Sequence, residues 1–245
     1  MSSREEFLER IRRALARDPT VPTALRQPGA SLRDLGPVMP AVAPQDLVPK
    51  FEEELGKVSG CAHRVSSPGE LDETLERLLK TYETKRVVLS RNPILVQAEV
   101  PVKLRKLGIT ATVWPEGPGQ ASDSGPATEF RQEAFSAEVG ITGVDWVLAE
   151  SGTLVLSSQT EGAQMASLAP PVHIALYRRS QVLASLEEVL ERLPVLPDAS
   201  AAAPGRSIVF VTGVSRTADI EQILIRGVHG PRELHAILVE DSCLS

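Results

Sequence analysis

The sequence predicts an α/β protein in which a mainly parallel sheet is flanked by helices, with a helical and proline-rich extension at its N-terminus. Short apolar runs alternate with helical patterns from residue 51 to residue 114, which is the signature of β-α-β units. Residues 146–149 and 153–156 are two further apolar runs split by Glu150-Ser151-Gly152, the pattern of a hairpin with a tight turn. A strongly apolar stretch at 207–212 then runs straight into a polar cluster, as strands of α/β proteins do where they present binding groups.

Ser3 and Glu6 have capping-box spacing, and Phe7, Leu8, Ile11, Ala14 and Leu15 follow at helical intervals. Prolines 19, 22, 28, 37, 40, 44 and 49 cannot continue a helix or donate to a sheet ladder, so residues 18–49 are expected to be extended. The extension is therefore taken as residues 1–49 and the α/β domain as residues 50–245. The first helix docks on its own domain or reaches to a neighbouring subunit, so a homo-oligomer stays open.

Within the domain, 51–58 reads as a helix and 61–65 as a strand. Ser67 caps a helix carrying Leu71, Leu75, Leu78 and Leu79, with Pro68 in its first turn. Residues 86–90 form a buried-type strand. Asn92-Pro93 starts another helix, which Pro101 should kink or break. A strand at 109–114, a Gly/Pro/Ser-rich loop at 115–126 and a helix at 128–138 lead to the hairpin. Residues 157–162 read as a polar loop, 172–176 as a strand, 180–193 as an amphipathic helix, 194–205 as a linker and 234–239 as the last strand, before a tail at 241–245.

The chain has 245 residues, 42% of them hydrophobic, enough for one sizeable core. Its net charge of -6, with no stripe of Lys and Arg, disfavours a nucleic-acid surface. Cys61 and Cys243 are the only two cysteines, and neither an iron–sulfur nor a structural zinc motif is present. Gly117-Pro118-Gly119 lacks the third glycine of a dinucleotide fingerprint, since Ser122 stands there. No stretch approaches the ~20 apolar residues of a membrane span, and no secretory signal is seen, so a cytoplasmic location is expected.

Two segments carry the chemistry. At the hairpin tip Glu150 offers a carboxylate, Ser151 and Thr153 offer hydroxyls, and Gly152 lets a ligand approach the backbone. After the 207–212 strand, Ser215, Arg216, Thr217, Asp219 and Glu221 combine hydroxyls, a guanidinium and two carboxylates. Arg216 can hold a carboxylate or phosphate bidentately. Glu150 and Asp219 are the candidate acid–base pair, with His229, between Gly227-Val228 and Gly230-Pro231, as an assisting proton donor. The expected ligand is a small organic acid or another anion. His173 alternates with apolar neighbours and reads first as a core histidine. Asn92 reads first as a helix cap and Arg91 as a solvated cation.

Taken in order, Gly140-Ile141-Thr142, Asp145, Ala149-Glu150-Ser151-Gly152-Thr153-Leu154, Pro170-Pro171-Val172-His173, Ser215-Arg216-Thr217-Ala218-Asp219-Ile220-Glu221 and Gly227-Val228-His229-Gly230-Pro231 resemble the lactate-utilisation protein C family, whose members carry the LUD domain. The resemblance runs from about residue 50 to about residue 240. It implies a fold like that of glucosamine-phosphate deaminases, ribose-phosphate isomerases and coenzyme A transferases. It implies a subunit of a system oxidising L-lactate to pyruvate, with two partner proteins carrying iron–sulfur clusters and no cofactor in this chain. Two rival readings stay open. One is a stand-alone enzyme acting on a phosphorylated sugar or an acyl-coenzyme A. The other is a non-catalytic scaffold that senses an organic acid.

Overall fold

The structure, a computed structural model, describes residues 42–115, 125–162, 164–192, 207–218 and 224–244. The expected N-terminal helix, the arm as far as residue 41, most of the 115–126 loop and the 194–205 linker lie outside the described residues. After a 3-10 turn at Pro44–Asp46, helix α1 spans Leu47–Lys57. It begins before the expected end of the proline arm because Pro49 sits in its first turn, where no intrahelical N–H is required.

Strand β1 (Cys61–Val65) leads to helix α2 (Pro68–Thr81), where the Ser67 hydroxyl accepts the Glu70 N–H at 3.2 Å. After β2 (Arg86–Leu89), the region around Pro101 is two helices, α3 (Pro93–Gln97) and α4 (Val100–Lys106). Between them Glu99 takes a left-handed conformation with φ 53°. The proline has no N–H to continue the first helix, so the chain breaks and restarts. β3 (Thr110–Val113), α5 (Pro126–Ser136) and β4 (Val139–Thr142) follow.

The hairpin is present as β5 (Trp146–Leu148) and β6 (Thr153–Ser157), paired antiparallel. Residues 158–161, expected in a loop, instead form a short helix, α6 (Ser158–Glu161), whose Gln159 N–H bonds the Ser157 hydroxyl. Next come α7 (Met165–Leu168) and β7 (Val172–Tyr177). The helix expected over 180–193 is shorter. Val182 and Leu183 form β8 (Val182–Leu183), paired in parallel with Val147 and Leu148, and only α8 (Leu186–Arg192) is helical. Here sheet pairing overrides a helical apolar spacing. β9 (Ile208–Thr212), a small hairpin of β10 (Arg216–Ala218) and β11 (Leu224–Arg226), and β12 (Glu233–Val239) complete the domain. The expected tail makes a 3-10 turn at Asp241–Cys243.

Six strands pair in parallel in the order β1-β12-β7-β4-β2-β3, and β8-β5-β6-β9 form a second sheet. β4 and β7 are buried at every position, as strands covered on both faces must be. One face packs Ile141, Ile174, Leu176 and Ile237 against Leu71, Leu75 and Leu79 of α2, and Leu95 and Leu104 of α3 and α4. The other packs Ala175, Tyr177, Ala236 and Leu238 against Phe51 and Leu55 of α1 and Leu154 and Leu156 of the second sheet.

The winding reverses at one place. β2 connects outward to β3, the chain returns to β4 on the opposite side of β2, and from there it proceeds to β7 and β12. The connections leaving β2 and β4 thus diverge, which opens a crevice at their carboxyl ends.

Two histidines are buried in the main sheet. His173 of β7 is fully buried and its Nε2 lies 2.8 Å from the Thr142 hydroxyl. His235 of β12 bonds the Tyr82 hydroxyl at 2.7 Å through Nε2 and lies 3.0 Å from His63 Nε2 through Nδ1. Burial holds His173 down to about 3. Burial, with His63 and Arg77 nearby, holds His235 down to about 4.

Two outcomes follow from this packing. A Cβ at Gly140 would fall 1.8 Å from the Ala166 carbonyl oxygen, so Gly140→Ala should lower stability by at least about 2 kcal/mol in urea unfolding. The depressed histidines bind protons later in the folded chain than in the unfolded chain. Their contribution is complete above the unfolded value near ~6.5 and is lost as pH falls towards 4. The stability difference between wild type and His235→Gln should therefore shift in favour of the variant by roughly 2 kcal/mol between about pH 6.5 and pH 5.

Candidate functional site

The crevice between β2 and β4 is built from three strand ends. Beyond β2, Ser90 donates its backbone N–H to the Ile141 carbonyl at 3.0 Å, and Asn92 caps α3 by accepting the Ile94 N–H at 3.1 Å. Beyond β4, Gly143 passes so close to Asn92 that an added Cβ would sit 2.2 Å from its Cγ. Beyond β7 comes Arg178. A cleft of about 270 Å³ opens here, walled by Asn92, Asp145, Trp146, Thr160, Arg178 and Gln181 among others.

Behind this wall lies Glu161, the last residue of α6, with no exposed surface. Asn92 Nδ2 donates to its Oε1, and its backbone carbonyl accepts the Arg91 N–H at 3.0 Å. Its Oε2 is buried without a hydrogen-bond partner of good geometry. Burial pushes the Glu161 carboxyl up to about 7, and the nearby Asp145 carboxylate adds to the rise. The Ser90 hydroxyl, the Asn92 amide and the Gly143 N–H pull the other way without overcoming it. Asp145 itself accepts the Ser157 N–H at 2.6 Å and the Thr160 hydroxyl at 2.8 Å, and burial raises its carboxyl as well.

Arg178 donates to the Gln97 side-chain carbonyl, and no carboxylate among the described residues forms an ion pair with it. Gln181 braces this rim, accepting the Arg178 N–H at 2.8 Å and donating to the Val144 carbonyl at 2.6 Å. The arrangement sets the Arg178 guanidinium and the Asp145 carboxyl in the wall of one small cleft, with the Glu161 carboxyl buried behind it. That is chemistry for holding one organic anion and exchanging a proton beside it. Among the described residues no group of three or more His, Cys, Asp or Glu is placed to hold a metal ion.

The residues singled out in the sequence lie at the other end of the sheet, around the residues that precede β1, β7 and β12. Glu150 accepts the Leu186 N–H at 2.7 Å and so caps α8. Ser151, Thr153 and Thr212 form a hydroxyl chain with steps of 2.7 Å, which joins the hairpin tip to the strand leading to Ser215. Gly152, at φ 65°, lets α1 approach: a Cβ there would lie 2.3 Å from the Leu55 nitrogen. Ser215 bonds the Pro231 carbonyl and the Gly227 N–H through its backbone, so it meets the turn that carries the exposed His229. Arg216 donates to the Ser59 hydroxyl, and Thr217 pairs with Ile225 in the β10–β11 hairpin. Asp219 and Glu221 lie outside the described residues. The two segments therefore meet through Thr153 and Thr212, while Glu150 and Arg216 turn to separate partners.

Glu161 and Arg178 were not found from the sequence. Glu161 follows a polar stretch without periodicity, and Arg178 simply follows an apolar strand. Only the sheet order brings them together.

Residues 48–239 match the LUD domain. The chain belongs to the LUD domain family. Similar proteins include a lactate utilization protein C of Exiguobacterium sp., 28% identical over 98% of this chain and 97% of that protein. A lactate utilization protein C 1 of Bacillus mycoides is 30% identical over 98% of each. YkgG of Escherichia coli is 30% identical over 72% of each. A crystal structure of a DUF162 family protein from Deinococcus radiodurans shares the fold, with a TM-score of 0.55, 22% identity, and coverage of 81% of this chain and 99% of that one.

The buried carboxyl of this LUD domain makes a prediction that needs no substrate. A folded-state value of about 7 lies above that of the unfolded chain, so the stability it contributes is complete below about pH 4.5 and is lost as pH rises through 7. Glu161→Gln should therefore gain on the order of 2–3 kcal/mol over wild type on going from pH 5 to pH 8, read from urea midpoints at each pH.

Proposed function

We propose that this chain is a subunit of a cytoplasmic system that oxidises L-lactate to pyruvate, acting with two partner proteins that carry iron–sulfur clusters. The observation that carries this reading is the likeness, over nearly the whole length of both chains, to proteins named lactate utilization protein C. The cleft at the strand ends supports it by offering a guanidinium, Arg178, and the half-buried Asp145 carboxyl, backed by the buried Glu161, in a volume suited to a small acid. Among the described residues no helix is long and apolar enough to cross a membrane.

Oxidation of lactate removes two electrons and two protons from the substrate. In this reading Arg178 grips the carboxylate, and Asp145, with Glu161 behind the cleft wall, stands beside the carbon that changes oxidation state. The two cysteines of this chain cannot ligate a four-cysteine cluster, so in this reading the clusters that would accept the electrons belong to the partners.

Deleting the gene in the native host should abolish growth on L-lactate and leave growth on pyruvate intact. An affinity-tagged copy should bring down two proteins with the visible absorbance of iron–sulfur clusters. Unchanged growth on lactate, with no such proteins recovered, would overturn the assignment.

A further inference from the structure

The base of the cleft poses an electrostatic problem. Asp145 lies close enough to disfavour ionisation of Glu161, which is withdrawn from solvent, and Asp145 is itself half-buried. A carboxylate ligand entering beside them adds a third negative charge and strips water from Asp145. Arg178 lines the same cleft as Asp145, and Arg91 meets Glu161 through its backbone N–H. The cleft wall thus supplies one guanidinium against two carboxyls and the incoming anion.

Glu161 has a seat for a relieving proton. Its Oε1 is held by the Asn92 amide, which donates, so that oxygen stays an acceptor. Its Oε2 is fully buried without a hydrogen-bond partner among the described residues and is free to carry a proton, with the Ser90 hydroxyl near the carboxyl.

We propose that the cleft between β2, β4 and β7 binds a small 2-hydroxy- or 2-oxo-monocarboxylate on Arg178, and that entry of the anion is coupled to uptake of one proton by Glu161. The inference deepens the lactate reading and rests on it for the ligand class. Its selectivity follows from the charges. With a proton on Glu161, the bound anion and Asp145 share one guanidinium, and a second carboxylate on the ligand meets no further cation of the cleft wall among the described residues. Glu161 stands behind Asn92 and Thr160 and touches no ligand; it is a positioning residue that sets the charge of the site.

The test is titration calorimetry on the full-length chain with L-lactate and with pyruvate, at pH 6, 7 and 8, in two buffers of different ionisation enthalpy. One coupled proton makes affinity fall about fivefold from pH 7 to pH 8, with net proton uptake at pH 8. L-malate should bind at least ten times more weakly than L-lactate. Arg178→Gln should lose tenfold or more at every pH. Glu161→Gln should bind with an affinity that no longer varies over this range, a change that a packing role alone would not produce. Its thermal transition at each pH verifies that it is folded.

Wild-type affinity that is flat with pH, a Glu161→Gln variant that keeps the slope, or no binding of either acid at millimolar concentration overturns the proposal. Loss of growth on lactate in the deletion strain together with no binding overturns this inference and leaves the system assignment standing. Proton-coupled binding together with unchanged growth does the reverse.

Discussion

The whole arrangement depends on one constraint: six strands that all run in the same direction. Parallel neighbours cannot be joined by a tight turn, so every connection must cross a face of the sheet, and both faces become dry. One face is covered by α2, α3 and α4; the other is covered by α1 and by the second sheet. The same rule governs the crevice. A chain that adds β3 on one side of β2 and then β4 on the other must send two connections in opposite directions. Ser90, Asn92 and Gly143 occupy that gap because they are the first residues beyond the two strands.

Much of the fold is legible in the sequence. Proline was informative wherever it met an otherwise helical pattern: Pro68 and Pro93 start helices after Ser67 and Asn92, and Pro101 divides α3 from α4. The split of the apolar runs by Glu150-Ser151-Gly152 located the hairpin. Where sequence and structure differ at 158–161 and 182–183, partners distant in sequence contribute to the local structure. Val182 and Leu183 have helical spacing with Leu186 and Val189, yet they pair with β5. Residues 158–161 have no apolar periodicity to announce a helix, and they are ordered by the Ser157 cap and by contacts of Thr160 and Glu161 with Asp145 and Asn92.

The candidate site was harder to read for a related reason. A list of polar residues in short segments draws attention to Glu150 and to the stretch around Arg216, where the chemistry is dense along the chain. In three dimensions Glu150 bonds the first turn of α8, and Arg216 bonds Ser59. The density around the cleft is instead spatial, since Asn92, Asp145, Glu161 and Arg178 come from four separate segments. Asn92 had a visible structural role as a cap, which hid its second bond to Glu161. The amide group does both, with its oxygen towards α3 and its nitrogen towards the carboxyl.

Gly143 ties these matters together. The missing side chain leaves room for Asn92 to lie across the backbone just where the main sheet hands the chain over to the hairpin. One bare α-carbon therefore serves the start of a helix, the setting of an acid and the departure of a strand pair. Mutational drift cannot adjust these separately: any bulk gained at position 143 would dislodge Asn92, uncap α3 and strip Glu161 of its donor together. Descendants of this sequence are freer to alter the mouth of the cleft, at Trp146, Arg178 or Gln181, than its floor. Divergence in ligand preference should begin at the rim.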